Sequence, residues 1–375
     1  MRIRLFLIIG AALVALLLYP AIHRMLRTWG LPMHKKRYKA LALLIAILMG
    51  AAATRVSSIS ALFVLHFAAF SGVLALVQLF VRLIFKKQYQ NGLKRLKWLL
   101  GSGLLPLVLT ACMLLFGYVN MHTVVPTFYT VETQKPIRSE GYRVALIADV
   151  HFGVSLDETA LRRVCDEISG QQPDVVILCG DIIDSSTTKE GMQQVFAALG
   201  SIKSTCGSYY VYGNHDRPGE WGVPAFTRAD LAAAIESNGI TILQDKVVSL
   251  TDDFLLAGRE DRGYSNRSGR KPVQTLLADA DPDDLILLLD HQPNEYALCC
   301  KAGADLILSG HTHGGQLWPI GQVQKLLHIN DHVYGHTFVD SDTQAIVTSG
   351  LAGWAYPIKT AAPAEYVIID IKPAI

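Results

Sequence analysis

Five short motifs, each following an apolar run, supply side chains that bind metals. They are Asp149-Val150-His151, Gly180-Asp181-Ile182-Ile183-Asp184, Gly213-Asn214-His215-Asp216, Asp290-His291 and Gly310-His311-Thr312-His313. Carboxylates, imidazoles and an amide oxygen are the ligands that hard and borderline divalent metals prefer. One such motif is more often an ordinary core or surface histidine than a ligand. Five of them in this order predict a dinuclear metal centre.

The chemistry of such a centre gives individual residues different tasks. Asp149 and His151 are two residues apart, so an extended strand end projects both to the same side. The two oxygens of Asp181 suit a carboxylate that bridges two cations. Cations about 3.5 to 4 Å apart stabilise the attacking and leaving oxygens of a displacement at phosphorus, and they acidify a shared water into a hydroxide. His215 is then a candidate to protonate the leaving oxygen, with Asp184 as the carboxylate that orients it, whereas Asp216 is expected to brace the loop.

The elements that must position these motifs are short buried strands alternating with amphipathic helices. Strands are predicted over Tyr142–Ala148, Val175–Cys179, Ser208–Tyr212, Leu285–Leu289, Leu306–Ser309, Ala345–Ser349 and Tyr366–Ile371, and helices over Leu156–Ser169, Gly191–Leu199 and Asn294–Ala302. This alternation indicates an α/β layered core. In such sheets ligands gather beyond the carboxyl ends of the strands, which is where all five motifs lie.

The first 119 residues have a different character, because the first acidic residue of the chain is Glu132. Four apolar segments precede residue 120: Ile3–Tyr19, Ala40–Ala53, Ile59–Ile84 and Trp98–Val119. A membrane-spanning helix needs about 20 mostly apolar residues, so the second segment is marginal. We therefore predict a membrane domain of about four transmembrane helices over residues 1–119, a linker over 120–141 and the α/β domain over 142–375.

The distribution of basic residues predicts the orientation of this membrane domain. The loops Ala21–Lys39 and Arg82–Lys97 are rich in Lys and Arg, and the loop between them carries only Arg55. Under the positive-inside rule the two basic loops face the cytoplasm, which places the α/β domain on the outer side of the cell membrane. Arg2 and Arg4 favour the opposite orientation for the N-terminus. If Ala40–Ala53 fails to span, the parity changes and the α/β domain moves inside.

Composition excludes some other classes. The net charge of +2 averages a basic apolar part and an acidic part, so it gives no sign of nucleic-acid recognition. The six cysteines contain no Cys-x-x-Cys pair and do not indicate a disulfide framework, which leaves open one bridge among Cys165, Cys206, Cys299 and Cys300. The apolar segments lack intramembrane acidic residues, which argues against a transport unit.

Together, the five motifs resemble the calcineurin-like metallophosphoesterase family over about residues 140–375. The resemblance implies a four-layer αββα sandwich with two divalent ions such as Mn, Zn or Fe. It implies a first metal held by Asp149, His151, Asp181 and His313, and a second held by Asp181, Asn214, His291 and His311. It also implies His215 as the catalytic histidine and Asp184 as its acidic partner. The ending Gly310-His311-Thr312-His313-Gly314-Gly315-Gln316 looks like the membrane-attached branch of the family.

Two positions depart from the family pattern. Ser185 stands where phosphoprotein phosphatases often carry Arg, which disfavours a phosphoprotein substrate, and Asp290 replaces a small hydroxyl residue beside His291. We expect a membrane-tethered phosphohydrolase that uses direct attack by a metal-bridging hydroxide on a phosphorylated small molecule or lipid-linked substrate. The alternatives are a nucleotide or cyclic-nucleotide phosphodiesterase, and a non-enzymatic membrane sensor or scaffold with a structural metal site. The oligomeric state is left open.

Several residues receive weaker assignments. Trp318 and Trp354 are assigned to the core rather than to a pocket. Arg228, Arg259, Arg262 and Lys359 are assigned to the solvated surface rather than to substrate phosphate. Gly101-Ser102-Gly103 is interpreted as a break between helices, and Asn266-Arg267-Ser268 fits a glycosylation sequon.

Overall fold

The computed structural model describes residues 2–55, 58–85, 94–217, 225–263 and 269–374. The sequon Asn266-Arg267-Ser268 and the basic residues Lys86 and Lys87 lie outside the described residues. The chain divides into two compact units, Met1–Gly117 and Tyr118–Ile375. The first unit is helical, and the second carries all five metal-type motifs.

The helical region contains five helices among the described residues: α1 Arg2–Thr28, α2 Lys36–Ala53, α3 Ile59–Ile84, α4 Lys94–Gly101 and α5 Leu104–His122. Three helical stretches are long and apolar enough to cross a membrane, namely Leu7–Thr28, Ile59–Ile84 and Leu104–His122. The predicted fourth segment is not continuous, because the chain breaks between α4 and α5 at Gly103, whose φ is +79°. This confirms Gly101-Ser102-Gly103 as a break between helices.

The predicted second segment forms helix α2. It is not one of the three candidate spans, because its first turn contains Lys36, Arg37 and Lys39. Its buried residues are Ala42, Ala46 and Gly50, which recur every four residues along one face. A Cβ on Gly50 would lie 2.3 Å from the carbonyl oxygen of Ala11, so the α1 and α2 backbones are in close contact. Small residues at this spacing allow the close helix packing that is common inside membranes.

The second unit is built on two six-stranded mixed sheets. The first has the strand order β1-β12-β2-β3-β4-β5 and the second β10-β11-β9-β8-β7-β6. The strands are β1 Val124–Thr133, β2 Tyr142–Ile147, β3 Val175–Cys179, β4 Ser208–Val211, β5 Ile240–Ile242, β6 Lys246–Thr251, β7 Phe254–Gly258, β8 Leu285–Leu289, β9 Leu306–Ser309, β10 Gly335–Phe338, β11 Gln344–Val347 and β12 Ala364–Pro373. The sheet that begins with β1 is called the first sheet, and the sheet that begins with β10 is called the second sheet. Sequence patterns predicted the central strands and missed β5, β6, β7 and β10.

Strand β1 corrects the expected linker over residues 120–141. Val124–Thr133 pairs in parallel with β12 and forms an edge of the first sheet. Pro126 lies within this strand, and proline is tolerated there because an edge strand leaves some N–H groups unpaired. Only the residues after Thr133 remain as a connection to β2.

The two sheets pack face to face and are covered by helices on their outer sides. Their inner faces form one apolar cluster that includes Leu146 and Ile177 of the first sheet and Leu287 and Leu308 of the second. The outer face of the first sheet packs against α6 Glu158–Gly170, α7 Lys189–Leu199 and α8 Arg228–Ser237, and the second packs against α9 Val273–Leu276 and α10 Tyr296–Lys301. The expected four-layer α/β sandwich is therefore present.

The sandwich places the motif-bearing loops at one end. In the first sheet β3 pairs in parallel with both β2 and β4, and in the second sheet β8 pairs in parallel with β9. Carboxyl ends of parallel strands meet at one edge, so the segments after these five strands lie together. The helices that follow β2, β3 and β4 are each capped at the N-terminus. The side chains of the capping residues accept a hydrogen bond from a backbone N–H of the first turn; they are Asp157 for α6, Thr188 for α7 and Thr227 for α8.

Candidate metal centre

The first group of ligand-type side chains consists of Asp149, His151 and His313. Their ligand atoms all lie within 4.8 Å of one another. Asp149 and His151 follow β2, and His313 begins a single 3-10 turn, His313–Gly315, after β9. All three side chains are buried. Two carboxyl-end loops, one from each sheet, thus supply one compact set of donors.

The second group consists of Asp181, His291 and His311, whose ligand atoms also lie within 4.8 Å of one another. Asp181 connects the two groups. Its Oδ2 atom lies 3.1 Å from His291 Nε2 and 3.8 Å from His151 Nε2. One carboxylate oxygen therefore lies between imidazoles of both groups, which is the position that a bridging ligand requires.

The backbone at these residues adopts an uncommon conformation. Asp149, His151, Asp181, His311 and His313 all have positive φ angles between 38° and 71°. They are five of the eleven non-glycine residues with positive φ in the described part of the chain. Such conformations cost about 1 to 3 kcal/mol each and persist where the surroundings require them. Here the left-handed turns aim successive side chains back toward one point.

Two glycines allow the loops to approach each other closely. A Cβ on Gly213 would lie 2.2 Å from Asp181 Oδ1, and a Cβ on Gly310 would lie 2.5 Å from Asp149 Oδ2. Any other residue would push a carboxylate out of the group. The glycines of the Gly-Asn-His-Asp and Gly-His-x-His motifs are therefore required by packing.

Several buried polar atoms at this point have no hydrogen-bond partner among the described residues. They are His151 Nε2, Asp181 Oδ2, Asn214 Oδ1 and His291 Nε2. An unpartnered buried polar atom costs about 1 to 3 kcal/mol. These four are all lone-pair donors of the types that divalent cations accept. The residues present fit two divalent ions.

The orientation of two imidazoles is fixed from behind. His291 Nδ1 lies 2.7 Å from the carbonyl oxygen of Cys179, and His313 Nδ1 lies 3.3 Å from that of Ala352. A carbonyl only accepts, so Nδ1 of each ring carries a proton, and Nε2 is the nitrogen that faces the site and is available to a metal. The donors are thus held in the tautomer that binds metal.

Burial and mutual charge shift the titration of these groups. Burial lowers the pKa of His151 and of His311 to about 4, and burial raises the pKa of Asp149 to about 7. For His291, burial lowers the pKa, but the neighbouring Asp181 outweighs it and holds the pKa well above its usual range. Burial therefore disfavours the charged forms of His151, His311 and Asp149, whereas His291 and Asp181 stabilise each other's charge.

Asp216 braces the loops of the first sheet, as expected. Its carboxylate accepts hydrogen bonds from the backbone N–H groups of Asp181 at 2.7 Å, Ile182 at 2.9 Å, Ile183 at 3.1 Å and Gly213 at 2.7 Å. These bonds join the Gly-Asp-x-x-Asp loop to the Gly-Asn-His-Asp loop. They also satisfy amides that the tight turn leaves without other partners.

Asp290 is paired rather than facing the metals. Its Oδ2 contacts Arg259 Nη1 at 2.9 Å and the guanidinium of Arg270. Glu295 Oε2 contacts Arg259 Nη2 at 2.9 Å. The expected extra negative charge beside His291 is therefore neutralised. Arg259 is buried and its assignment to the solvated surface was wrong.

Lys359 is also buried, contrary to its assignment to the surface. Its ammonium donates to the carbonyl oxygens of Ser349 at 2.5 Å, Gly350 at 3.3 Å and Ala352 at 3.3 Å. Burial lowers the pKa of Lys359 to about 7. Lys359 thus holds the loop whose Ala352 carbonyl orients His313, and no local pattern in the sequence indicated this role.

Asp184 lies beside His151 at the edge of the first group. Its Oδ2 lies 3.8 Å from Nδ1 of His151, and its Oδ1 accepts from Ser186 N at 2.7 Å and Ser186 Oγ at 2.6 Å. The side chain of His215 instead contacts two rings, Trp354 at 4.9 Å and His151 at 5.4 Å between centroids. Asp184 therefore lies near His151, at a distance beyond a hydrogen bond, and its pairing with His215 stays a prediction.

Trp354 stacks on His215 with an angle of 24° between the ring planes and is 41% exposed, so it is not a core residue. Gln316 fixes its loop. The Gln316 side chain donates to the carbonyl oxygens of Trp354 at 3.1 Å, Tyr356 at 3.2 Å and Ile358 at 3.2 Å, and accepts from Trp354 N at 3.0 Å. The last residue of the Gly-His-Thr-His-Gly-Gly-Gln motif therefore positions the ring that covers His215.

Part of this chain is similar in sequence to known proteins. Residues 142–315 match the sequence model of the calcineurin-like phosphoesterase family. An uncharacterized metallophosphoesterase of Campylobacter jejuni is 28% identical over 72% of this chain and 69% of its own length. A protein from Danio rerio named transmembrane protein with metallophosphoesterase domain is 31% identical over 72% of this chain and 62% of its own length. The chain thus spans less than two thirds of the Danio rerio relative.

A crystal structure of a dimetal phosphatase from Danio rerio superposes with a TM-score of 0.40 and 14% identity, over 57% of this chain and 88% of that chain. The family assignment comes from the sequence matches. Residues 142–315 of this chain form a calcineurin-like metallophosphoesterase domain. It is a metal-dependent phosphoesterase with two candidate metal-binding groups on the α/β sandwich.

Proposed function

We propose that this protein is a membrane-tethered phosphohydrolase with a dinuclear metal centre. In this proposal Asp149, His151, Asp181 and His313 hold the first metal ion, and Asp181, Asn214, His291 and His311 hold the second. The observation that carries the proposal is the set of four buried donor atoms without a partner, from His151, Asp181, Asn214 and His291. When bound, two divalent cations supply Lewis acidity for the activation of a water molecule and the stabilisation of charge on a phosphoryl group.

The residues of the chain supply the remaining parts of this reaction. Asp181 lies between the two groups of imidazoles and fixes their separation. His215 is half-buried beside the first group and is our candidate for the proton donor to the leaving oxygen in a direct, single-displacement hydrolysis. Trp354 covers one face of the His215 ring and limits its rotation. Asp184, which contacts His151, is assigned a positioning role.

The helical unit supports the tether. This unit contains two of the three candidate spans and the larger part of the third. Helix α2 buries Ala42, Ala46 and Gly50 and packs closely against α1, which favours α2 as a fourth, short span. The apolar part of α2, Ala40–Ala53, is shorter than the about 17 residues needed to cross a bilayer, so Lys36, Arg37 and Lys39 would have to reach the headgroup region. With four spans, the basic loops predict that the phosphoesterase domain faces away from the cytoplasm. Protease digestion of intact cells tests this side, because a domain in the cytoplasm resists cleavage.

The experiment that tests the reaction is metal analysis joined to hydrolysis assays on the purified full chain. We expect two divalent ions per chain and hydrolysis of phosphomonoesters, phosphodiesters or lipid pyrophosphates that stops when a chelator removes the metals. A preference for soluble nucleotides or cyclic nucleotides over all lipid-linked compounds would favour the phosphodiesterase alternative. Absence of hydrolysis on the whole panel with two bound metals contradicts the proposed activity.

The role of His215 has its own test. We expect His215→Ala to lower kcat about 10²- to 10⁴-fold, which is the usual contribution of general acid–base catalysis, while both metals stay bound. His336 is a matched control, because its Nε2 contacts Gln344 at 2.8 Å away from the metal-binding groups. His336→Ala should keep kcat. A His215→Ala enzyme with normal kcat contradicts this role.

A further inference from the structure

The metal centre is flanked by an exposed apolar segment in residues 317–329. It includes helix α11, Ile320–Leu326. Its exposed large apolar side chains are Trp318, Ile320, Val323, Leu326, Leu327 and Ile329. Leu326 and Leu327 are 77% and 63% exposed. Monomeric soluble surfaces rarely cluster such residues unless they meet a partner or a membrane.

This segment is attached directly to the turn that carries His313. A Cβ on Gly315 would lie 2.4 Å from Gly321 Cα, so the start of α11 is packed against the turn His313–Gly315. The backbone N of Trp318 also donates to Thr360 Oγ1 at 2.9 Å, in the loop that follows Trp354. The apolar side chains therefore have a fixed relation to the metal-binding groups.

The charge of residues 317–329 favours a lipid bilayer as the partner of this segment. No acidic residue occurs between Leu306 and Asn330, while Lys325 and His328 lie within the segment. Tryptophan, branched apolar residues and a basic residue in one short segment are typical of segments that lie in the interface of a bilayer with anionic headgroups. The same chain carries candidate membrane spans, so a bilayer is always close to it.

We propose that residues 317–329 insert into the lipid headgroup region and hold the metal centre at the membrane surface, where it acts on phosphates carried by lipids. This inference rests on the proposed membrane tether and phosphohydrolase activity, and it deepens them by naming the substrate class. Leu326 and Leu327 enter the acyl boundary, and Lys325 contacts anionic headgroups. A second copy of the chain or another protein on this surface is the competing occupant.

The test uses the full chain in nanodiscs of equal parts phosphatidylcholine and phosphatidylglycerol. The photo-crosslinking residue benzoylphenylalanine replaces Leu326 in one sample and Phe338 in the other. Phe338 is a matched control because it is 65% exposed but pairs with Gln344, at the opposite end of the second sheet from the ligands. We expect lipid adducts, seen by mass spectrometry, at position 326 and not at 338. Adducts to protein at 326, or no adducts, would overturn the proposal.

Two further variants make the result specific. In the chain with the crosslinker at 326, Leu327→Ser with Ile329→Ser should lower the yield of lipid adduct about tenfold, because two exposed apolar side chains are lost. Lys325→Glu should lower it in anionic nanodiscs and leave it unchanged in nanodiscs of phosphatidylcholine alone. An unchanged yield in the double variant contradicts the inserted segment.

The same samples separate this inference from the activity on which it rests. Hydrolysis of soluble bis(p-nitrophenyl) phosphate reports on the metal centre and should be unchanged in these variants. Lipid adducts in a protein that hydrolyses nothing on the whole panel of phosphomonoesters, phosphodiesters and lipid pyrophosphates would refute the proposed function and leave the docking segment standing. Hydrolysis without lipid adducts would refute only the docking segment.

Discussion

The two sheets support the metal centre in different ways, although each does so with a buried carboxylate beside a ligand. On the first sheet, Asp216 accepts four backbone N–H groups and holds the loop of Asp181. On the second sheet, Asp290 precedes His291 and pairs with the side chains of Arg259 and Arg270. Both charges are neutralised without solvent. One uses peptide dipoles and the other uses guanidinium groups.

This difference determines how much stability is lost when the carboxylate of each support is removed. The amides around Asp216 belong to the backbone and cannot be removed by mutation, so loss of the carboxylate leaves them buried and unpaired. The ion pairs of Asp290 are made by side chains, and a buried ion pair replaced as a whole by apolar residues is often neutral in stability. The first support is therefore obligatory, whereas the second is replaceable.

The largest effect is expected where the two sides meet, at Asp181. Asp181→Ala removes the oxygen that lies 3.1 Å from His291 and 3.8 Å from His151. We expect loss of at least one metal per chain and a fall in kcat of at least about 10³-fold, as for removal of a principal electrostatic group. Metal analysis and phosphodiester hydrolysis measure both. Asp252→Ala, at an exposed aspartate, is the control, and a normal metal content in Asp181→Ala contradicts the bridging role.

The next effect concerns the first-sheet support. Asp216→Leu leaves four backbone N–H groups without their acceptor, each costing about 1 to 3 kcal/mol. We expect the metal-free protein to lose more than about 4 kcal/mol of unfolding free energy, or to fail to fold. Thermal and chemical unfolding of the full chain in detergent measures this. Asp216→Asn, which keeps one acceptor oxygen, should lie between wild type and Asp216→Leu.

The second-sheet support should respond differently. Asp290→Leu alone leaves two guanidinium groups with one fewer partner, and breaking a buried pair costs about 3 to 5 kcal/mol. Adding Arg259→Met should recover most of that loss. The same unfolding measurement compares the single and double variants. A double variant as unstable as Asp216→Leu would show that the two supports are equally obligatory.

The sequence predicted the parts of this structure that depend on local pattern. Each central strand is a short apolar run, and Asp149, Asp181, Asn214, His291 and His311 follow such runs directly. Since parallel strands end at one edge, the order of the motifs was enough to predict that they meet. The residues assigned to the two metal ions remain predictions, and the geometry of the two groups supports them.

The parts that local pattern did not predict depend on distant partners. Local pattern predicts a linker where strand β1 lies, because this strand is ordered by its pairing with β12, where Val124 is opposite Ala364. Lys359 was assigned to the surface because the three carbonyls that surround it lie in a loop with no strand signal. The pairing of Asp184 with His215 stays a prediction: Asp184 lies 3.8 Å from His151, and His215 stacks on Trp354.

The smallest effect tests the comparison at the opposite end of the sandwich, where Asp174 and Asp305 precede β3 and β9. Burial raises the pKa of Asp174, but the Arg143 amide and the Arg138 guanidinium outweigh it, so the net pKa is lowered. Burial is the main cause for Asp305 and raises its pKa despite the Ile286 amide.

The two carboxylates therefore contribute to stability with opposite signs. A carboxyl with a lowered pKa stabilises the fold above its unfolded pKa of about 3.9, and this is lost as the pH falls through the folded value. A raised pKa destabilises the ionised fold as the pH rises through the folded value. Asp174→Asn should lower the melting temperature of the metal-free chain at pH 7 and change it little at pH 3. Asp305→Asn should be neutral or stabilising at pH 7, by about 1 kcal/mol or less. Equal destabilisation by both variants at pH 7 would show that the sheets do not differ in this respect.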